Sequence, residues 1–451
     1  MNKYDAIIIG GGLGGLTTGA KLSKEGKKVL LIEQHYVPGG CATTFKRKDF
    51  TMEVGLHEMD GLDKSDPKTE IFHDLKVFDN IKFLKAPEFY RFKNERIDIV
   101  VPDSTGKAIK VLTKKFPKEE KGIGKFFKVI HELQWEINLQ PLAKWKKHLL
   151  LPLYPAIFPY LAVSSSKLTN FTSHLNPLFY VLHPNLVFWK HKSIGGFVDS
   201  IISDEDLKLV LLANIQYYHD NPYTMSLVYF SAAQASYYNG GGHYIKGGSQ
   251  KLSDYLAKSI TDNGGDVLLG NKVSKIMIEN DFAVGVEYKK TTDSDGEAEK
   301  VFANTIIANS AIPNVVNLLP KESQSLLKEK IGKLEKACSL ISIYIGFKKE
   351  IKQLGNKHYS TFVFDENVKS PKDMLKNHKG DFRKRNFVFV DYSQIDSGLT
   401  PKGKSFGVVC TVDYLEDWEK LSTEEYKKKR RGCSNIFQEI GKRNSRDYCR
   451  N

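Results

Sequence analysis

The chain has 451 residues, room for two or three lobes at about 150 residues each, and is 41% hydrophobic, 11% aromatic and 27% charged. That composition suits a large packed core and excludes a disordered polymer. Half of the +14 net charge sits in the last 25 residues and the rest is spread over an ordinary solvated surface, so no nucleic-acid partner is expected.

Tyr4–Ile9 is an apolar run of strand length ending in the glycine turn Gly10–Gly15. Nothing resembling a signal peptide precedes it, so a cytoplasmic chain is expected. A helix-forming stretch, Leu16–Glu25, follows, with Gly26 placed to end it. Val29–Ile32 then forms a second buried strand ending at Glu33. Strand, glycine turn, helix, strand and acid in this order give Gly10-x-Gly12-x-x-Gly15 the context of a dinucleotide fingerprint. Gly10 permits the tight turn, Gly12 lets the backbone approach a pyrophosphate, and Gly15 lets the helix close on the strand. The helix N-terminus offers unpaired N–H groups and its positive dipole end to phosphates. Glu33 is spaced to accept hydrogen bonds from ribose hydroxyls, which disfavours a 2′-phosphate and hence NADP as the nucleotide held here.

A second glycine pair, Gly39-Gly40, follows the acid, then Cys41, Thr43, Thr44 and Phe45. With this extension the chain resembles the phytoene desaturase, carotenoid isomerase and retinol saturase family of FAD-dependent oxidoreductases. The resemblance implies an α/β protein: a Rossmann-like FAD-binding fold of the amine-oxidase and phytoene-desaturase type with an inserted α+β substrate domain. It implies FAD held by Gly10, Gly12, Gly14, Gly15, Glu33, Gly39 and Gly40, with the backbone of Val273 on the adenine side. Phe50–His57 resembles the family's following strand, whose Gly55-x-His57 lies near the flavin; on its own, His57 reads equally well as a structural histidine.

Further patches continue the resemblance. Phe116–Phe126 is similar to a segment that opens a substrate-domain helix. Gly247-Gly248-Ser249-Gln250-Lys251-Leu252 is similar to the family's GG-x-Q-x-L turn, leading into the amphipathic Ser253–Thr261. Gly264–Leu269, Lys272–Ile278 and Phe282–Tyr288 read as short strands separated by turns. Ile306–Ala311 resembles the strand that returns to the nucleotide fold, and Gln394–Gly403 a late loop. The expected organisation is an FAD domain in segments 1–75 and 236–315, and a substrate and membrane-facing domain in segments 76–235 and 316–430. An atypical tail fills 431–451.

The implied activity is FAD-dependent redox or isomerisation chemistry on the conjugated double bonds of a carotenoid, retinoid or similar apolar polyene. NAD or NADP is the candidate electron partner. Two alternatives stand beside it: an amine-oxidase-like flavoenzyme, and a truncated, membrane-associated remnant without activity. No Ser/His/Asp triad, HExxH or P-loop competes, and no catalytic residue is singled out. Five cysteines without CxxC spacing indicate neither a disulfide framework nor a zinc site, and read as buried reduced thiols.

No apolar run reaches the ~18 residues of a spanning helix. Leu149–Val163 is uncharged but broken by Pro152, Pro155 and Pro159, and is preceded by Lys144, Trp145, Lys146 and Lys147. This suits the interface of a membrane, or a buried wall of the substrate domain; 176–192 repeats the composition. From Arg431 the chain is basic and aperiodic where the family has a flavin-contacting strand, turn and helix. Read one base over, with codons freely chosen, the tail gives an amphipathic helix stopped by Pro-Gly. The expectation is therefore a frameshifted end and a longer natural chain.

Overall fold

The computed structural model describes residues 3–64, 66–138, 183–293 and 296–433. The 144–163 segment, and the tail beyond Cys433, lie outside these.

Strand β1 (Lys3–Ile9) carries Ile7, Ile8 and Ile9 buried on both faces, as a covered parallel strand requires. Helix α1 (Leu13–Lys24) ends on Lys21 and Lys24, which suit its negative dipole end, and Gly26 turns the chain with φ +77°. Strand β2 (Val29–Glu33) follows, then a hairpin of β3 (Thr44–Arg47) and β4 (Phe50–Glu53). Next come β5 (Met59–Asp60), β6 (Phe83–Lys85), β7 (Tyr90–Lys93) and β8 (Asp98–Val101). Helices α2 (Glu120–Ile137) and α3 (Leu227–Gly240) pack together in the second lobe. Strand β9 (Gly242–Ile245) leads through Gly247–Gly248 into α4 (Gln250–Asp262). After these come β10 (Asp266–Leu269), β11 (Asn271–Glu279), β12 (Phe282–Lys290) and β13 (Glu299–Ala308). Strands β14 (Ser339–Phe347), β15 (Ser360–Val363), β16 (Phe387–Asp391) and β17 (Ser405–Asp413) precede the last described helix, α5 (Thr423–Cys433).

The first sheet has the order β10-β2-β1-β13-β12-β11, with β1 paired in parallel to both β2 and β13. Residues from the two ends of a 300-residue span therefore share one sheet. Beneath α1 and α4 it buries Ile8, Leu16, Leu31, Leu252 and Ile260. Gly19 lets the two helices approach, since a β-carbon there would lie 2.6 Å from Ile260 Cδ1. Its other face buries Ile7, Ile9, Leu30, Ile32 and Val286.

The second sheet has the order β14-β17-β16-β15-β7-β8, and its core joins α2 and α3 through Phe89, Phe127, Tyr237 and Tyr238. A three-stranded sheet, β5-β9-β6, lies at the junction. The expected strand Phe50–His57 stops at Glu53, because the next carbonyls are taken by tyrosine hydroxyls rather than by a neighbouring strand. Cys410 is buried as expected. Cys41 is exposed instead, because it stands in the loop after Gly40 rather than in an element. No helix among the described residues is long and apolar enough to cross a membrane.

Candidate dinucleotide site and lobe junction

A cavity of about 690 Å³ opens at the carboxyl ends of β1 and β2, within the usual range for a cofactor site. Gly10, Gly12, Glu33, Gly40 and Val273 line it. Its floor is the start of α1, where Gly12 occupies the N-cap position without any side-chain cap and no acid stands in the first turn. The first N–H groups of that helix are thus left for an anion. Gly40 faces Gly12 closely: a β-carbon on Gly40 would lie 3.3 Å from Gly12 Cα. Side chains at either position would narrow the space a pyrophosphate needs.

Glu33 is nearly buried, and both of its oxygens are held by backbone donors. Oε2 accepts from Gly11 N–H at 2.6 Å and Oε1 from His35 N–H at 2.7 Å. Each oxygen keeps a second lone pair, so the fixed carboxylate can still receive ribose hydroxyls. Gly39 sits just behind: its N–H donates to Gly11 O at 2.7 Å, and it bridges to Gly12. Gly14 and Gly15 stand in the first turn of α1, packed on Asn309 rather than lining the cavity. Val273 buries its side chain in the sheet core while β11, an edge strand with a bulge beyond Val273, keeps one row of backbone groups outside the ladder. The residues present fit a dinucleotide: an uncapped helix end, a glycine-walled slot, an acid at one side and an edge backbone beyond it.

Sequence reasoning named fewer than half of the lining residues. Asn309, Asn314 and Asn317 also face the cavity, from the end of β13 and the helix after it. Asn309 falls in the Ile306–Ala311 patch, whereas Asn314 and Asn317 belong to no motif, and the place of all three depends on a β13–β1 pairing that only the assembled sheet supplies.

Segment 53–57 lies where this lobe touches the second; the chain then returns to the nucleotide core with Phe72, Leu75 and Val77 and enters the second sheet only at β7. Glu53, fully buried, accepts from Ser249 N–H and Tyr244 OH at 2.8 Å each and from Ser249 Oγ at 2.7 Å. Tyr344 OH donates to the Val54 carbonyl at 3.0 Å, Tyr392 OH to Leu56 at 2.7 Å, and Tyr359 OH to His57. The His57 ring packs edge-on to Tyr217 at 5.5 Å, and burial pushes its pKa down to about 4, so it is neutral at physiological pH. Burial also holds the Glu58 carboxyl well above its usual range, helped by Glu88, Asp60 and Asp103. His57, Glu58, Tyr217 and Tyr218 come together where the lobes meet, and each keeps some accessible surface.

A nucleotide sheet whose β10-β2-β1-β13 strands run parallel, with this slot at their ends and a second lobe packed on the buried segment 53–57, defines a two-lobed dinucleotide-binding protein. The chain belongs to the flavin containing amine oxidoreductase family, whose pattern matches residues 13–433. It is 28% identical over 443 residues to an all-trans-retinol 13,14-reductase of Danio rerio, covering 92% of this chain and 67% of that protein. It is 26% identical over 438 residues to a chloroplastic prolycopene isomerase of Daucus carota, covering 95% of this chain and 64% of that protein. The chain therefore spans about two thirds of the length of these relatives. An oxidoreductase from Methanosarcina mazei shares the fold with a TM-score of 0.59 and 18% identity, covering 97% of this chain and 83% of that one. Putrescine oxidase bound to putrescine shares it at 0.56 and 13%, covering 94% and 79%. The fold is the amine-oxidase-type FAD-binding fold, and the cofactor is FAD.

Proposed function

We propose that the chain is an FAD-dependent oxidoreductase acting on conjugated carbon–carbon double bonds of a carotenoid, retinoid or similar apolar polyene. One observation carries the reading. The dinucleotide cavity is built from the paired glycines and the acid, in a chain whose similarity to a retinol reductase and a prolycopene isomerase runs over 92% and 95% of its length. In this reading Gly10, Gly12 and the start of α1 receive the pyrophosphate, with Gly14 and Gly15 supporting them. Glu33 holds the ribose, Gly39 and Gly40 close the slot, and Val273 meets the adenine through its backbone. Bound there, FAD supplies the hydride and radical chemistry. The protein binds and orients it, excludes water, and in this reading receives the apolar chain at the lobe junction near His57 and Tyr217. NAD or NADP is the proposed electron partner, and a membrane surface the proposed source of substrate.

The test uses the full chain loaded with FAD and incubated, with and without NADH or NADPH, with a polyene alcohol, a polyene hydrocarbon and a diamine. A gain or loss of two hydrogens in either polyene, or a shift in its double-bond geometry, supports the proposal. Bleaching of the flavin by the diamine alone would transfer the chain to the amine-oxidase alternative. A bound flavin that changes with none of the three would favour the inactive remnant.

A further inference from the structure

The glycines of the fingerprint share one neighbour. A β-carbon on Gly10 would lie 2.5 Å from the Asn309 carbonyl oxygen, one on Gly12 3.2 Å from Asn309 Nδ2, and one on Gly14 2.8 Å from Asn309 Oδ1. On Gly15 it would lie 2.9 Å from Asn309 Nδ2 and 2.3 Å from Gly10 O. For Gly14, apart from its chain neighbours and its own helix backbone, nothing but Asn309 comes within 4 Å. The same side chain is bonded in place: Nδ2 donates to the Gly10 carbonyl at 3.1 Å, and the Asn309 N–H donates to Ile9 O at 2.8 Å. Asn309 also lines the cavity.

Three features therefore meet in one residue. It follows β13, so it arrives from the second segment of the nucleotide sheet, 299 residues after Gly10. It fills the inside of the glycine turn, where side chains of the turn itself would otherwise lie. It supplies a neutral donor to a carbonyl that has turned out of the strand ladder at a φ of +100°. An aliphatic residue of this size could not donate, and a carboxylate would repel both the Gly10 carbonyl and a pyrophosphate in the cavity.

We propose that Asn309 is a positioning residue for FAD: its amide plugs the inside of the turn Gly10–Gly15 and holds it in the open shape that receives the pyrophosphate. At Gly14 the requirement for glycine is set by this amide and not by the cofactor. The inference rests on FAD occupying the cavity and not on the substrate reading, so polyene turnover leaves it untouched in either direction.

The test is a double-mutant cycle on the full chain, stripped of flavin and titrated with FAD by fluorescence quenching. Gly14 lies in α1 outside the positive-φ region, so alanine fits its backbone and meets only the amide. Gly14→Ala is expected to raise the FAD dissociation constant about tenfold, and Asn309→Ala about tenfold. In the Asn309→Ala background the second change fills vacated space, so the double variant should stay within about threefold of Asn309→Ala alone. A product of the two effects, about a hundredfold, would overturn the proposal, because it would mean that Gly14 serves the cofactor directly. Asn309→Asp gives an independent reading. FAD affinity should be lost at neutral pH and recover as the pH falls toward about 5. The Gly10 carbonyl and the pyrophosphate hold that carboxyl above its ordinary value of about 4, so it takes up a proton and regains a donor while carboxyls of ordinary value stay charged. Loss of affinity that does not recover there would count against a role for the amide. If a variant binds no FAD at all, the same cycle is read on unfolding temperatures of the flavin-free proteins. The effect of Gly14→Ala should again vanish in the Asn309→Ala background, and its persistence would sink the idea.

Discussion

Glu58 shows how much one buried group can say that its sequence position does not. Its Oε2 is buried without a partner and occupies the space beside Gly242, where a β-carbon would lie 2.3 Å away. Its folded pKa lies above the unfolded one, so between the two values the native state binds the extra proton. Its contribution to stability is full below the unfolded value of about 4.3 and is lost as pH rises through the window up to the folded value. Glu58→Gln should therefore raise the melting temperature at pH 8 and leave it nearly unchanged at pH 4. Melting curves at both values check this, and an equal loss at both would show that the carboxyl is held charged. Glu53 also titrates high through burial, so the variant removes only part of the slope. At the slot, Gly12→Val should abolish flavin retention by bringing a branched side chain against Asn309 Nδ2, 3.2 Å from the first added carbon. Purification of a yellow Gly12→Val protein would contradict this. The glycines and Glu33 are legible in the sequence because their spacing is local: Gly10 and Glu33 close strands, Gly12–Gly15 open a helix, and Gly39–Gly40 follow the acid within one loop. Asn309 stands in the Ile306–Ala311 patch, but its role is not legible there, since it lies in a contact with a turn 299 residues earlier.

At the scale of elements, the first sheet was readable because each strand is a short apolar run closed by a turn residue, and α1 and α4 show helical spacing. The second sheet was not. Its strands come from residues 90–101 and 339–413, and the parallel β7–β15 pair joins partners about 270 residues apart without any local signal. The tyrosines that cross between the lobes were hidden for the same reason. Tyr344, Tyr359 and Tyr392 look like core aromatics in the sequence, yet their hydroxyls satisfy consecutive parts of segment 54–57, which makes no strand. A buried carbonyl left without its donor costs about 1–3 kcal/mol. Tyr392→Phe, which keeps the ring stacked on Phe406, should lower unfolding stability by that amount while leaving the secondary structure intact. Urea unfolding followed by circular dichroism measures it. A change below about 0.5 kcal/mol would mean that water or a shifted neighbour already serves the Leu56 carbonyl.

At the scale of the molecule, two lobes meet along segment 53–57, and in the proposed reading the substrate reaches that junction from outside both cores. An apolar polyene is held by membranes far better than by water, which makes a membrane-facing entrance the economical arrangement. Among the described residues, one surface patch has the composition of a lipid-facing edge. The helix Pro184–Trp189 exposes 71% of Phe188, while Trp189 packs edge-on against Phe197, and Lys190 and Lys192 follow at once. An aromatic beside lysines is the composition that settles at a lipid interface, and the 144–163 segment, outside the described residues, repeats it in sequence with Trp145 and Phe158. The full chain should therefore float with liposomes. Replacing Trp145, Phe158 and Phe188 together by serine should reduce the floated fraction severalfold without changing FAD affinity, since the described lining of the dinucleotide cavity comes from segments 9–40 and 271–318, away from all three in sequence. Because part of the attraction is electrostatic, raising salt from 0.1 to 1 M should weaken flotation on anionic vesicles more than on neutral ones. Equal flotation by both proteins, or none by either, would mean that these aromatics face protein, and that the polyene reaches the junction by another route.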